Sequence, residues 1–263
     1  MIVCYAQGGG LGHLTRVRAY LHTIGVTGEV TVVSASPFAA DPRVVAGAHA
    51  ARLDGLAPAE LVVDAFPAGL KGELSAADVP AGTRVTHLAR LLRWDVYRPR
   101  LPERPIRFDR TYVLEDLAPA HLEWLRTVSD EVVPLELVEP PAEAPQAVDG
   151  WLIVHTGPDE EIRELVAYAR DMAELEGARP RFTLVSPRRP EGLPGDIAHL
   201  AVYPAWPLGE HAERIVTAAG FNAVRQFAPW RERHRVLPFP RTLDDQFARV
   251  RNTWSTGSLS AMS

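Results

Sequence analysis

Apolar residues in this chain fall in short unbroken runs rather than in alternation. IVCYAQ (2–7), EVTVVSAS (29–36), AELVVDAF (59–66), TRVTHLA (83–89), RTYVLE (110–115) and EVVPLELV (131–138) each read as a strand. Unbroken runs suit strands covered on both faces, the habit of parallel sheets. Between the first two, Leu14, Val17, Leu21 and Ile24 recur at helical spacing, which predicts a helix over 12–24 closed by Gly25. A second helix is expected over 119–126. The chain therefore opens on a β-α-β unit.

The pattern lapses at EPPAEAPQAVDG (139–150), a proline- and alanine-rich stretch without periodicity that reads as an interdomain linker. It then restarts. WLIVHTG (151–157) is a strand and turn, and 159–177 is an amphipathic helix with an acidic first turn. Further strands are expected over 181–187, 199–205, 213–220 and 234–240. A short helix over 221–228 should stop at Pro229, and a last helix over 242–251 has Thr242 as its candidate N-cap. Residues 253–263 read as a flexible tail. The expected class is α/β: two Rossmann-like domains, 1–140 and 151–252, facing each other across a cleft. Open sheets of this kind take ligands beyond the carboxyl ends of their strands.

Composition narrows the setting. The 263 residues are 46% hydrophobic with a net charge of -5, a globular make-up that gives no reason to expect nucleic acid. Met1 leads straight into strand-like sequence, so no secretory leader is expected, and no apolar run approaches the ~20 residues of a membrane span. The lone cysteine, Cys4, sits inside the first apolar run and reads as a small core residue. These features point to a cytoplasmic protein. Lys71 is the only lysine, so 27 of the 28 basic residues are arginine, the imprint of a GC-rich, bacterial coding genome.

Two stretches carry candidate chemistry. The first is GGGLGHLTR (8–16), placed where strand one meets helix one. Unpaired amides and the positive end of the helix dipole lie there. A phosphate P-loop would need Gly-Lys-Ser/Thr, and no lysine is present. A dinucleotide fingerprint fails in register at His13, and the second strand ends Ser34-Ala35-Ser36 without the ribose-binding acid. What is left is a site with His13 at a helix start as base or hydrogen-bond donor; that position favours a neutral imidazole. The second stretch is AAGFNAVRQF (218–227), a strand, a glycine and a helix that puts Asn222 and Gln226 on one face. Asp244, Asp245 and Gln246 follow, with Asp244 read as a cap.

Together these stretches resemble GT-B glycosyltransferases of the MurG and UDP-glycosyltransferase type. GGGLGHLTR is similar to their amino-terminal glycine loop, and AAGFNAVRQFAPWRERHRVLPFPRTLDDQFARVRN to their donor-binding stretch. The resemblance implies His13 as the acceptor-side base, with Gly10 and Gly12 shaping the loop near a donor diphosphate. Gly220, Phe221 and Asn222 would form a second phosphate-facing turn, and Gln226 stands where the family usually holds the donor ribose with glutamate. Asp245 and Gln246 would hold the donor sugar, and Thr156 and Gly157 would line the same site. The implied partners are a nucleotide-sugar donor, UDP-linked, and an acceptor that is a small molecule, a glycan or a lipid-linked molecule. The chain departs from the family in Gln226 and in APWRER where a glycine-proline turn is usual.

No cofactor is implied, and no Asp-x-Asp metal motif occurs, in keeping with metal-independent, inverting chemistry. Asp64, at the end of a strand, is a candidate for the acceptor side. The segment 84–110 holds eight arginines against Asp95, Glu103 and Asp109. It offers Arg90, Arg93 and Trp94 to an acceptor or to the inner membrane surface, against the plainer reading of a solvated face. Two other readings stay open: a nucleotide-sugar hydrolase of the same fold, and a non-catalytic nucleotide- or sugar-binding module.

Overall fold

The computed structural model describes residues 1–144 and 146–255. The chain divides into two units: Met1–Pro140 with Arg241–Asp245, and Pro141–Pro240 with the chain from Gln246 on.

In the first unit the unbroken apolar runs become parallel strands. They are β1 (Ile2–Tyr5), β2 (Val30–Val33), β3 (Ala48–Ala50), β4 (Glu60–Ala65), β5 (Arg84–Ala89), β6 (Phe108–Val113) and β7 (Ser129–Pro134). Their order is β3-β2-β1-β4-β5-β6-β7, with every pairing parallel. The order reverses between β1 and β4, the switch point at which such sheets take ligands. Three helices belong here: α1 (Leu11–Thr23), α2 (Trp94–Tyr97) and α3 (Pro119–Val128). One face of the sheet buries Val3, Leu61, Val63, Val85 and Phe108 in a single cluster. Cys4 is fully buried, and burial pushes its thiol up, so it stays protonated and inert.

The second unit repeats the plan with β8 (Trp151–Val154), β9 (Phe182–Val185), β10 (Ile197–Leu200), β11 (Arg214–Ala218) and β12 (His234–Leu237), all parallel, in the order β10-β9-β8-β11-β12. Its helices are α4 (Asp159–Leu175), α5 (Phe221–Gln226) and α6 (Gln246–Ser255). The apolar stripe of α4, formed by Ile162, Leu165, Val166, Ala169 and Ala173, packs on Ile153, Leu184 and Val216.

Several expectations shift. β7 ends at Pro134 instead of running to 138, level with the end of its partner β6 at Val113, to which Leu135 N–H makes a last bond at 3.0 Å. β3 was absent from the expectation; its three residues, Ala-His-Ala, carry no apolar pattern. Val148, inside the expected linker, is buried among Leu152, Leu208 and Ile215 of the second unit. Thr242 caps no helix. Residues 241–245 give their backbone bonds to the first unit: Arg93 N–H donates to Leu243 O at 2.9 Å, and Leu92 bridges Asp244 antiparallel. The last helix therefore starts only at Gln246. It takes in 253–255 of the expected tail; 256–263 lie outside the described residues. After α5, residues Ala228–Arg233 continue in 3₁₀ turns through Pro229.

Candidate active site

At the switch point of the first sheet, the glycine loop that follows β1 lies beside the carboxyl end of β4. Ile2–Tyr5 pair with Glu60–Val63, which brings Asp64 level with the start of the loop. Helix α1 begins at Leu11, with Gly10 as N-cap and no side chain capping it. His13 and Arg16 are three apart on this helix and so share a face. Both reach Asp64. His13 Nδ1 donates to Asp64 Oδ2 at 2.6 Å. Arg16 Nε donates to Asp64 Oδ1 at 2.5 Å, and Arg16 Nη2 donates to Oδ2 at 2.7 Å. The side chains of Asp64 and Arg16 are 0% and 3% exposed, and that of His13 is 14% exposed.

A carboxylate only accepts, so Nδ1 carries a proton, and in the uncharged ring Nε2 keeps its lone pair. That nitrogen faces the glycine loop. A Cβ built on Gly8 would stand 2.6 Å from His13 Nε2, so only glycine leaves the ring its place. Gly9 and Gly10 have open space where a side chain would be, and both are exposed. Burial pushes His13 below its ordinary value. The hydrogen bond and charge of Asp64 oppose this, and the charges of Arg16 and Arg90 add to it. For Asp64, burial pushes upward, but the charge of Arg16 and the bond from His13 outweigh it and hold the carboxyl well below the usual range.

Ala65, next after Asp64, has φ of +61°, a left-handed conformation that an alanine adopts at a cost. Phe66 N–H donates back to Asp64 O at 2.7 Å across it. The turn puts the Phe66 ring 5.5 Å from the His13 ring, and the Arg90 guanidinium lies 5.3 Å from the centroid of the Phe66 ring.

The residues expected on the acceptor side therefore part company. Asp64 is wholly buried and holds His13 instead of lining a site. Arg90 pairs with Asp244 at 2.5 Å, so Asp244 answers a buried cation. Trp94 is buried, its ring stacked on His121 at 4.2 Å and 12°. Arg93 is exposed and donates to Arg241 O at 3.4 Å. The arginine-rich stretch is largely answered from within: Arg84 by Glu60, Arg107 by Asp130, Arg110 by Glu131 and Arg100 by Leu70 O. No helix among the described residues is long and apolar enough to cross a membrane. No group of three or more His, Cys, Asp or Glu among them is arranged to hold a metal.

The second sheet has its own switch point, between β8 and β11. Thr156 and Gly157 follow β8, and Gly220, Phe221 and Asn222 follow β11. His155 Nε2 lies 2.8 Å from Glu161 Oε2 in the first turn of α4, and its ring is 5.9 Å from Phe239. A Cβ on Gly157 would meet the same His155 and Glu161 atoms. Helix α4 starts with Asp159, Glu160 and Glu161, whereas α5, with Gly220 as N-cap, has no acid in its first turn. An anion is repelled at the first and not at the second. Gln226 closes α5. Gln246 is buried, and its Oε1 accepts from Phe239 N–H at 3.0 Å. Asp245, half-buried, is the last residue of the segment carried by the first unit. Arg249, one turn along α6, is buried and donates to Ala219 O at 2.9 Å, just before Gly220.

Sequence reasoning passed over Arg16, Arg249 and the His155–Glu161 pair. The three-residue spacings of Arg16 from His13 and of Arg249 from Gln246 are the signals that could have found the first two. Nothing in the sequence links His155 to Glu161.

Against solved structures, the chain is similar to the glycosyltransferase SnogD from Streptomyces nogalater. The two share 16% identity at a TM-score of 0.55, over 96% of this chain and 85% of that one. The glycosyltransferase of kitacinnamycin is similar at 14% identity and a TM-score of 0.53, over 97% and 84%. No protein-family model and no curated protein sequence matches. The fold is the GT-B fold. Its two Rossmann-like units carry both predicted glycine turns at switch points, one in each.

Proposed function

We propose that this GT-B chain is a glycosyltransferase that moves a sugar from a nucleotide-sugar donor, UDP-linked, to an acceptor hydroxyl. It acts without a metal and with inversion. The observation that carries the reading is His13: a histidine held by a buried carboxylate through Nδ1, with a free Nε2 turned toward an open glycine loop at a switch point. That is the geometry of a general base. Nε2 takes the proton of the acceptor hydroxyl as its oxygen attacks the anomeric carbon. The bond to the leaving diphosphate breaks, and the proton stays on His13. Asp64 stabilises the imidazolium that forms.

The donor residues are carried by the resemblance. Gly220, Phe221 and Asn222, at the acid-free start of α5, receive the diphosphate, with Thr156 and Gly157 in the loop that follows the neighbouring strand β8. Gln226 takes the ribose, and Asp245 and Gln246 take the sugar. Gly10, the N-cap of α1, and Gly12, in the helix's first turn, keep that end of the helix low enough for the reacting groups. The acceptor is a small molecule, a glycan or a lipid-linked alcohol.

The test is product analysis with a panel of nucleotide sugars, with and without acceptors. Acceptor-dependent release of the nucleoside diphosphate, lost in His13→Ala while UDP still raises the melting temperature, is the expected result. Free sugar released at the same rate with every acceptor absent would make the protein a hydrolase. Binding without turnover of any donor would make it a binding module.

A further inference from the structure

Helix α1 presents two side chains to Asp64, and only His13 has been given work so far. We propose that Arg16 is a positioning residue for His13: by taking the charge of Asp64 into a buried bidentate pair, it keeps the imidazole uncharged, protonated on Nδ1 and open at Nε2. The inference deepens the reading of His13 as a base and rests on it for its bearing on catalysis.

The argument is one of charge balance. Asp64 is fully buried, and a buried carboxylate needs a compensating cation. With His13 as sole partner, that cation would be the imidazolium, whose Nε2–H donates and cannot accept a proton. Arg16 removes the need. Its Nε and Nη2 reach both oxygens of Asp64 at 2.5 and 2.7 Å in the planar fork that guanidinium and carboxylate share. The same Nη2 lies 3.2 Å from His13 Nδ1, so a charge on His13 would sit directly against a cation.

The other groups facing His13 act the same way. Arg90, beyond β5, adds a second positive charge that disfavours the imidazolium, and the neighbouring Phe66 ring brings no opposite charge. Asp64 is thus the acid that addresses His13, and Arg16 has already claimed it. The short hydrogen bond from Nδ1 to Oδ2 then fixes the tautomer and the ring plane.

The experiment is a pH titration of the histidine side-chain nitrogens by ¹⁵N NMR in the full chain, with His13 assigned by its loss in His13→Ala. In the wild type, His13 should be uncharged and protonated on Nδ1 at pH 7. In Arg16→Gln its midpoint should rise by roughly one pH unit or more, and Arg16→Lys should return it part of the way. A wild-type His13 that is charged at pH 7 or protonated on Nε2 alone overturns the proposal, even if the variants do not fold. So does an unmoved midpoint in a folded Arg16→Gln. These readouts hold whether or not the protein transfers sugar. In an active enzyme, the acid limb of the rate against pH should move up by the same amount in Arg16→Gln.

Discussion

Each unit ends its first strand in a glycine-bearing loop, and in each a histidine lies against one glycine and a carboxylate against the histidine. The likeness stops at the charges. In the first unit His13 gives Nδ1 to Asp64 and keeps Nε2 for the loop, while Arg16 balances the carboxylate. In the second, His155 turns Nε2 itself to Glu161, and two more acids crowd the same helix start. One loop leaves its histidine's Nε2 facing the glycines; the other ties Nε2 to a carboxylate. The same β-α turn thus supports different chemistry according to which ring nitrogen is committed and what neutralises its partner.

The sharpest way to break this comparison is to remove each histidine in turn. Under the proposed activity, His13→Ala should lower the rate of transfer by roughly 10³-fold, about 4 kcal/mol in the barrier. His155→Ala should cost less than about tenfold, measured as kcat/KM with saturating donor. Equal losses would mean that the two loops share the chemistry.

Next comes acid stability, where the units differ in what they bury. In the first, burial lowers His87 to about 4 and His121 to about 3, from an ordinary 6.5. Their rings are stacked on Phe108 and Trp94. The second unit has His234, lowered to about 4 first by burial and then by Arg231 and Arg235. The unfolded chain takes up these protons near pH 6.5 and the folded one only at 3 to 4. Their stabilising contribution is therefore complete above 6.5 and lost as pH falls toward 3, by on the order of 3 kcal/mol for each histidine. Hydrogen exchange followed from pH 7 to pH 4 should show the first unit opening before the second. His121→Phe should narrow the gap.

A smaller effect tests the loop itself. Gly8→Ala should push the His13 ring aside and cost roughly 10²-fold in rate, with the melting temperature little changed. Gly157→Ala should be milder on rate, since it disturbs a pair with no assigned proton transfer. Smallest of all are the exposed ion pairs. Arg107→Gln in the first unit and Arg170→Gln in the second should each alter stability by less than about 1 kcal/mol in denaturant titrations.

Much of this was legible along the chain. The unbroken runs from IVCYAQ onward announced parallel strands, and both sheets proved parallel throughout. Edges were less clear wherever a proline interrupted a run, as at Pro134. The segment 241–245 defeated prediction because its polar groups fit a helix start as well as a bridge, and only Leu92 and Arg93 decide between them. Trp94 could stack on a ligand or on the core, and His121, far along the chain, settles it.

The sequence by itself determined the alternation of strands and helices, the two glycine turns at the ends of strands and the place of His13 at a helix start. These are local matters of periodicity, chain flexibility and the helix terminus. Only the tertiary structure decided that Asp64 serves His13, that Arg16 balances Asp64 and that Arg90 answers Asp244. Those pairings join residues 48 to 154 positions apart; the order of strands in the folded sheet brings the first two together, and the bridge from Leu92 to Asp244 the third, not spacing along the chain.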